Sequence, residues 1–524
     1  MGKKFLRGIN LSLLLLIIIF TFSSCAKEMN VIEVNNNKQI NFSVSVPEWK
    51  NTDSLTTTKT SRATPITDNS FGTDKSFDLI ADQNDGAGNY TILIDKESVS
   101  YTNNIWKTSN DYYWSGTTNK AVNFYAYCPT SISSNISHIA GSAPTLLYTV
   151  PSDASNQIDI ITAINPNISG STVTSISLAF NHIFAAVKFA VGASGLPSGT
   201  IKSITISGIK NSGTYTFGSG WALGSTASSF TVSPSTTTTG ASGENITSDA
   251  FTLMMIPQPF TNAIITLTYN TGTTYKQTIS GNWAANNIYT YNLSKPVNIG
   301  DYYYSDGTWG TIAEHVNSTA KPIAVVFSNS TTTTDNGHGW THGYGMSLTN
   351  AATSVTWGPL GVTALQNIST WSEIVNERDG YSNTQLIKNN YGLSSYPAFY
   401  HACNYVVTAP SNSSNWFLPS IGQWYNIAVN LGKIPTTYTS WRIAEPGWGG
   451  YANYCASNIN SYLSVLNVPI DKFSNNAEYY WCSSEYTSNL VYRSFFSNDT
   501  FWLDGNDDDN FKNLNFSVRP VIAF

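Results

Sequence analysis

Side chains able to do chemistry are few in this chain, and they are scattered. His338 and His342 stand four residues apart in Gly337-His338-Gly339-Trp340-Thr341-His342-Gly343-Tyr344-Gly345. On a helix that spacing would turn both rings to one face, where they could ligate a metal. The glycines of the same stretch speak against a helix, since each costs about 1 kcal/mol there. The stretch then reads in one of two ways. Either His338, Trp340, His342 and Tyr344 form an aromatic loop that contacts a sugar or a protein, or the loop packs on its own domain. A second concentration is Asp504-Gly505-Asn506-Asp507-Asp508-Asp509-Asn510. Asp504, Asn506, Asp507, Asp508 and Asp509 offer the oxygen ligands that calcium takes. The spacing and the missing distal glutamate depart from a full calcium loop, so a solvated hairpin tip is the competing reading. Calcium is the only candidate cofactor. No His-Glu-x-x-His, Gly-x-Ser-x-Gly or phosphate-binding glycine loop occurs, and the chain is expected not to be an enzyme.

The five cysteines divide by position. Cys25 ends a leader: Lys3, Lys4 and Arg7, an apolar run from Leu11 to Phe22, then Ser23 and Ser24. A basic head, a short apolar core and small residues before the cut make a secretory signal, spanning 1–25. The run is short for a membrane helix, which needs about 20 apolar residues. Phe22-Ser23-Ser24-Cys25 resembles a bacterial lipobox, which implies lipidation of Cys25 and an outer-membrane anchor. Cys128 stands alone, and Cys403, Cys455 and Cys482 lie near the C-terminus. Export permits a disulfide among the last three, and burial as small apolar side chains serves equally well.

These residues must be held by a strand-rich scaffold. The 524 residues suffice for about three domains. Charged residues make up 11%, against roughly 25% in an average soluble protein. Aromatics at 13%, with abundant Ser, Thr, Asn and Gly, favour strands and turns. A net charge of −6 argues against nucleic acid as a partner. After the leader no stretch is apolar enough to span a bilayer.

Alternation marks the strands. Ile40, Phe42, Val44 and Val46 form the first, and Pro47 ends it. A Thr-rich polar stretch with Lys59 and Arg62 follows, accessible to proteases. Further strands are expected at 121–127, 158–161, 177–191, around Ile204 and Ile206, at 253–256 and at 265–269. A last one is expected to open at Trp283 and run through Tyr289, Tyr291 and Leu293. Short strands between Gly, Asn and Ser turns mean β-sandwiches.

Several of these stretches together resemble the fimbrillin family, pilus subunits of Bacteroidetes. They are the lipobox, Arg62 in Ser61-Arg62-Ala63, Leu178-Ala179-Phe180-Asn181-His182 running into Ala186-Val187-Lys188-Phe189, and Trp283-Ala284-Ala285-Asn286-Asn287-Ile288-Tyr289. The resemblance implies a mostly β fold with two tandem transthyretin-like sandwiches, here 26–165 and 166–297. It also implies lipoprotein export and, in many members, a cut after an arginine. Cutting removes an N-terminal strand, and a strand of another subunit fills the groove. Arg62 is the candidate cleavage site and Ile40 to Val46 the candidate strand. The competing reading of Arg62 is an ordinary loop arginine.

From Asn298 a new module begins, and helical spacing enters. Helices are expected at 370–377, at 420–431 behind Pro419 and Ser420, and at 457–466. Trp416 to Trp424, Tyr479-Tyr480-Trp481-Cys482-Ser483-Ser484-Glu485 and Val518-Arg519-Pro520 resemble a C-type-lectin-like module over 298–524. This implies an α+β domain, with Trp416, Trp424, Trp481 and Arg519 as scaffold. The sugar-binding triplets of calcium-dependent lectins are missing, which puts that activity in doubt. The order of leader, sandwiches and extra domain suggests a pilus subunit at the tip of a fimbria, joined to other subunits by strand addition. Its terminal domain would adhere to a glycan or protein of the host or of another bacterium. The alternative is a surface lipoprotein that does not polymerise and captures glycans or other nutrients.

Overall fold

The computed structural model describes residues 39–46, 48–51, 71–114, 120–169, 175–248, 252–436, 454–474, 476–497, 500–505 and 510–524. Cys25, Arg62, Asn506, Asp507, Asp508 and Asp509 lie outside them.

The protein is mostly β. Among the described residues its first sheet has eight strands. In order across the sheet they are Ile176–Ala179, Phe42–Ser45, Ile105–Thr108, Tyr90–Thr102, Ser76–Asn84, Ala121–Cys128, Ile161–Ser169 and Asn181–His182. The two outermost strands are consecutive in the chain, separated only by Phe180, so the sheet wraps round and closes on itself. Phe42, Phe77, Leu79, Phe124, Leu178 and Phe180 fill the interior. Ser76–Asn84 is buried on both faces for a reason: Phe77, Leu79 and Ala81 face this interior, while Ile80 faces a second core with Tyr125 and Tyr127.

The second core lies between two sheets. One runs Leu253–Met255, Ala185–Val191, Asn287–Leu293, Lys50–Asn51. The other runs Ala227–Val232, Gly199–Lys210, Pro259–Tyr269, Thr274–Asn282. A third, four-stranded sheet joins the two halves, because Thr145–Thr149 pairs with Ser212–Thr216. The sequence seam at 165/166 falls inside the strand Ile161–Ser169, and Ile176–His182 still belongs to the first sheet. The strand expected at 158–161 starts only at Ile161. Trp283 opens no strand: it follows Thr274–Asn282, and its buried ring packs on Phe260 with centroids 4.6 Å apart.

From Asn298 the architecture becomes α+β. One sheet combines Trp309–Gly310, Tyr302–Tyr304, Pro322–Ser328, Tyr344–Ser347 and Val521–Ala523, bringing the module's beginning and end together. The other combines Ala352–Val355, Phe516–Val518, Glu478–Glu485, Val491–Ser497 and Thr500–Asp504. Ile421–Asn430 packs its apolar face, Ile421, Trp424, Ile427 and Ala428, against both. Ser420 and Gln423 close a capping box at its start, as Thr370 and Glu373 do for Trp371–Asn376. The third expected helix is Cys455–Ser464; Ser457 lies inside it rather than capping it. Gly300 opens the module at φ 87°, and a Cβ there would press into the Tyr462 ring.

Candidate functional site

The segment from Gln39 to Asn51 is held by both front cores. Its strand Phe42–Ser45 is internal, running parallel to Ile176–Ala179 on one side and antiparallel to Ile105–Thr108 on the other. Ile176 N–H donates to the Asn41 carbonyl at 3.0 Å and Phe180 N–H to the Ser45 carbonyl at 2.8 Å. Ile40 N–H donates to the Tyr112 carbonyl at 2.8 Å. Ile40, Phe42 and Val46 are buried, and the Phe42 ring meets Phe124 edge-on at 5.9 Å. Beyond Val46 the chain reaches the other core. Lys50 N–H donates to the Asn286 carbonyl at 3.0 Å, and Lys50–Asn51 pairs in parallel with Asn287 and Ile288. Between these contacts Trp49 is buried and stacks on His182 at 4.0 Å with 26° between planes.

The described stretches behind the family resemblance, 178–189 and 283–289, converge on this segment. Leu178 and Phe180 line the interior that receives Phe42. His182 carries Trp49 and bonds through Nδ1 to buried Asp159 at 2.9 Å. Ala186 to Val191 pairs in parallel with Ile288 to Leu293. The turn between Trp283 and Tyr289 is fixed by hydroxyls: Trp283 Nε1–H donates to the Tyr291 oxygen at 3.0 Å and Ala284 N–H to the Tyr289 oxygen at 2.9 Å. That turn presents the Asn286 carbonyl to Lys50. Alternation revealed the strand; the reach of Trp49 into the second core had no periodic signal, since it lies three residues past Val46 and beyond Pro47.

In the C-terminal module the loop residues separate. The short helix Thr333–Gly337 ends where the glycines begin. His338 is exposed and stacks on Trp340 at 4.8 Å, and Tyr381 meets Trp340 edge-on at 4.7 Å. Sequence reasoning missed Tyr381, which sits on the polar helix Gly380–Asn390. His342 points elsewhere, packing on Trp309 at 4.5 Å and approaching Gly195 of the second sandwich. Burial pulls its pKa below the usual value. Tyr344 is buried, and its hydroxyl donates to Asp335 at 2.5 Å. The structure thus brings His338, Trp340 and Tyr381 together, and gives His342 and Tyr344 packing roles. The two histidines share no ligand geometry.

Asp504 bonds to Arg493 at 3.0 Å, so its carboxylate is already engaged. Among the described residues no group of three or more His, Cys, Asp or Glu could hold a metal ion. Cys128, Cys403, Cys455 and Cys482 all remain thiols. Burial raises each thiol pKa, which leaves these groups as unreactive apolar packing. Trp416, Trp424, Trp481 and Arg519 are buried, as expected of scaffold. No described helix is long and apolar enough to cross a membrane.

Residues 61–302 match the family model described as fimbrillin-like. Among solved structures, a fimbrial protein from Bacteroides ovatus aligns at 16% identity over 94% of this chain and 100% of its own, with a TM-score of 0.33. A fimbrial protein from Bacteroides vulgatus aligns at 16% identity over 49% of this chain and 95% of its own, with a TM-score of 0.33. The tip fimbrial protein Mfa3 from Porphyromonas gingivalis, truncated at its C-terminus, aligns at 9% identity over 43% of this chain and 90% of its own, with a TM-score of 0.24. No curated protein matches the chain.

Proposed function

We propose that the chain is an exported fimbrillin-like pilus subunit of the cell surface, standing at the tip of its fimbria, with its adhesive surface on the C-terminal module. The observation that supports this best is the internal position of Phe42–Ser45. Withdrawing an edge strand would leave one row of open backbone groups. Withdrawing this one opens the closed sheet and leaves two facing rows, on Ile105–Thr108 and Ile176–Ala179, above an apolar trough. A strand of another subunit entering there is bonded on both sides, a stronger form of strand addition than pairing at an edge. A cut after Arg62 would release the resident segment; until then lipidated Cys25 would hold the chain on the outer membrane.

The module from 298 to 524, read as C-type-lectin-like, is bulky for a subunit that must pass a strand onward, which favours the tip. Its exposed His338 and half-buried Trp340 and Tyr381 form an aromatic surface suited to a sugar ring or a protein side chain. Neither role calls for catalysis. N-terminal sequencing of fimbria-bound protein tests the reading: it should begin at Ala63, and Arg62→Ala should keep the acylated form and stay out of filaments. Filament-bound protein still starting at Cys25 would refute maturation at Arg62. Immunogold label along whole filaments would refute tip placement. A glycan array on the full chain, with and without chelator, tests the adhesive surface and the acidic stretch of the sequence from Asp504 to Asp509 together.

A further inference from the structure

The groove left by the resident segment is longer than the first sheet, and its far end lies in the second sandwich. Trp49 covers His182 there, and the side chains of His182 and Asp159 are 0% and 2% exposed. Asp159 holds the His182 ring through Nδ1, so the ring cannot turn away when its cover leaves. Its face would then be bare in an apolar wall that includes Phe184, Ile183 and Ile160. A flat face fixed in such a wall is best covered by another flat ring. The resident ring is also an imperfect fit. Neither Trp49 Nε1 nor His182 Nε2 has a hydrogen-bond partner among the described residues, although both are buried. A buried polar atom without a partner is costly, so a segment that also offered Nε2 a polar group in the plane of the imidazole would bind better than the one it displaces.

From this stacking we infer that His182 and Asp159 form a second recognition pocket, selecting an incoming strand that carries an aromatic ring. The inference rests on strand replacement as proposed above and adds the chemistry of the partner. The occupant is an extended segment of a neighbouring subunit. It places apolar side chains where Ile40, Phe42 and Val46 lie, and an aromatic ring three residues beyond the last. At about 3.3 Å per residue the ring sits roughly 10 Å past the end of the trough, within reach of a single strand. An alternating apolar strand without that ring fills the first sheet and leaves His182 uncovered. The pocket therefore separates a true partner strand from the many segments that merely alternate.

The test uses the full chain, nicked by an arginine-specific protease and checked by mass spectrometry for cutting at Arg62. The nicked protein is incubated with a large excess of fluorescent peptide comprising residues 38–51, or with the Trp49→Ala or Trp49→Tyr peptide. Bound dye is read by size exclusion. The native and Trp49→Tyr peptides should enter, and the Trp49→Ala peptide should bind at least about tenfold more weakly, the equivalent of 1.4 kcal/mol. In nicked His182→Ala protein that difference should shrink. Equal binding of the native and Trp49→Ala peptides overturns the pocket while leaving strand replacement intact. Exclusion of every peptide overturns both.

Discussion

Lys512 and Glu485 meet at 2.5 Å with both side chains fully buried. The pair holds a loop. Lys512 also donates to the Val362 carbonyl at 2.6 Å, and Glu485 accepts from Ala364 and Leu365 N–H at 2.9 and 2.7 Å. Burial pulls the Lys512 pKa down despite its partner. Lys512→Met would leave a buried carboxylate without a counter-charge and should cost about 3–5 kcal/mol, measured by urea unfolding. Lys512→Met with Glu485→Gln should recover part of that loss. Glu377 is a different case: burial raises its pKa, and it accepts from Ser484 at 2.5 Å and from Asn383 at 2.9 Å. The folded state therefore holds a proton that the unfolded state has released above about pH 4.5. Its contribution is full below that pH and fades as pH rises through the folded pKa. Glu377→Gln should remove this component, read as a flatter slope of stability against pH. Glu485 was visible as part of a distinctive stretch. Its meeting with Lys512 was not, because no local spacing connects two residues that only the folded sheet brings together.

In the proposed function the strand Phe42–Ser45 carries more weight than any other single element. Its alternation was legible, since a half-buried strand repeats every two residues. Its neighbours were not: Ile105–Thr108 and Ile176–Ala179 are distant in sequence, and pairing choices leave no trace in a single chain. Phe42→Ala should cost about 3–5 kcal/mol from lost burial and the cavity left behind. Limited proteolysis should show it as faster loss of the first sheet while the C-terminal module stays resistant. The helices divide by the same logic. Ile421–Asn430 had apolar residues at helical spacing and a capping box, and it was legible to within a residue at each end. Gly380–Asn390 buries only Gly380, Thr384 and Ile387, too thin a stripe to register, and so Tyr381 was missed.

At the level of the whole molecule, the second sandwich and the C-terminal module are docked, not merely linked. Tyr275 O–H donates to the Trp309 carbonyl at 2.6 Å, Trp309 Nε1–H to the Lys295 carbonyl at 3.2 Å, and Lys295 pairs with Glu314 at 2.9 Å. Thr319 N–H donates to the Thr271 carbonyl at 2.9 Å, and Asn412 donates to Ser198 at 2.9 Å. The seam near Asn298 was legible as a change of pattern; this contact was not, since it is made by turns that have no periodicity. Tyr275→Phe should weaken the joint by about 1–3 kcal/mol, because it strands a buried carbonyl. Acid should act on the same place. Burial lowers the pKa of His315, stacked on Tyr304 at 3.5 Å, and of His342 on Trp309. Asp306 and Glu314 favour a proton on His315, and Lys295 opposes it. A released His342 takes up a proton below about pH 6.5 that the docked ring, held against Gly195, resists, so the joint is firmest above that pH and weakens as pH falls. Small-angle scattering should show an unchanged shape between pH 8 and 7 and a longer, looser one near pH 5.

A docked joint transmits twist as well as tension. Were the two units joined only by backbone near Asn298, the far module would swivel like a weight on a cord. With bonds from Tyr275, Lys295, Thr271 and Ser198 spread across its base, it is a strut, and whatever turns the second sandwich turns the module with it. Were the chain the fimbrial tip proposed above, moving fluid that rolls the filament would wrench its outermost contact instead of letting it spin free.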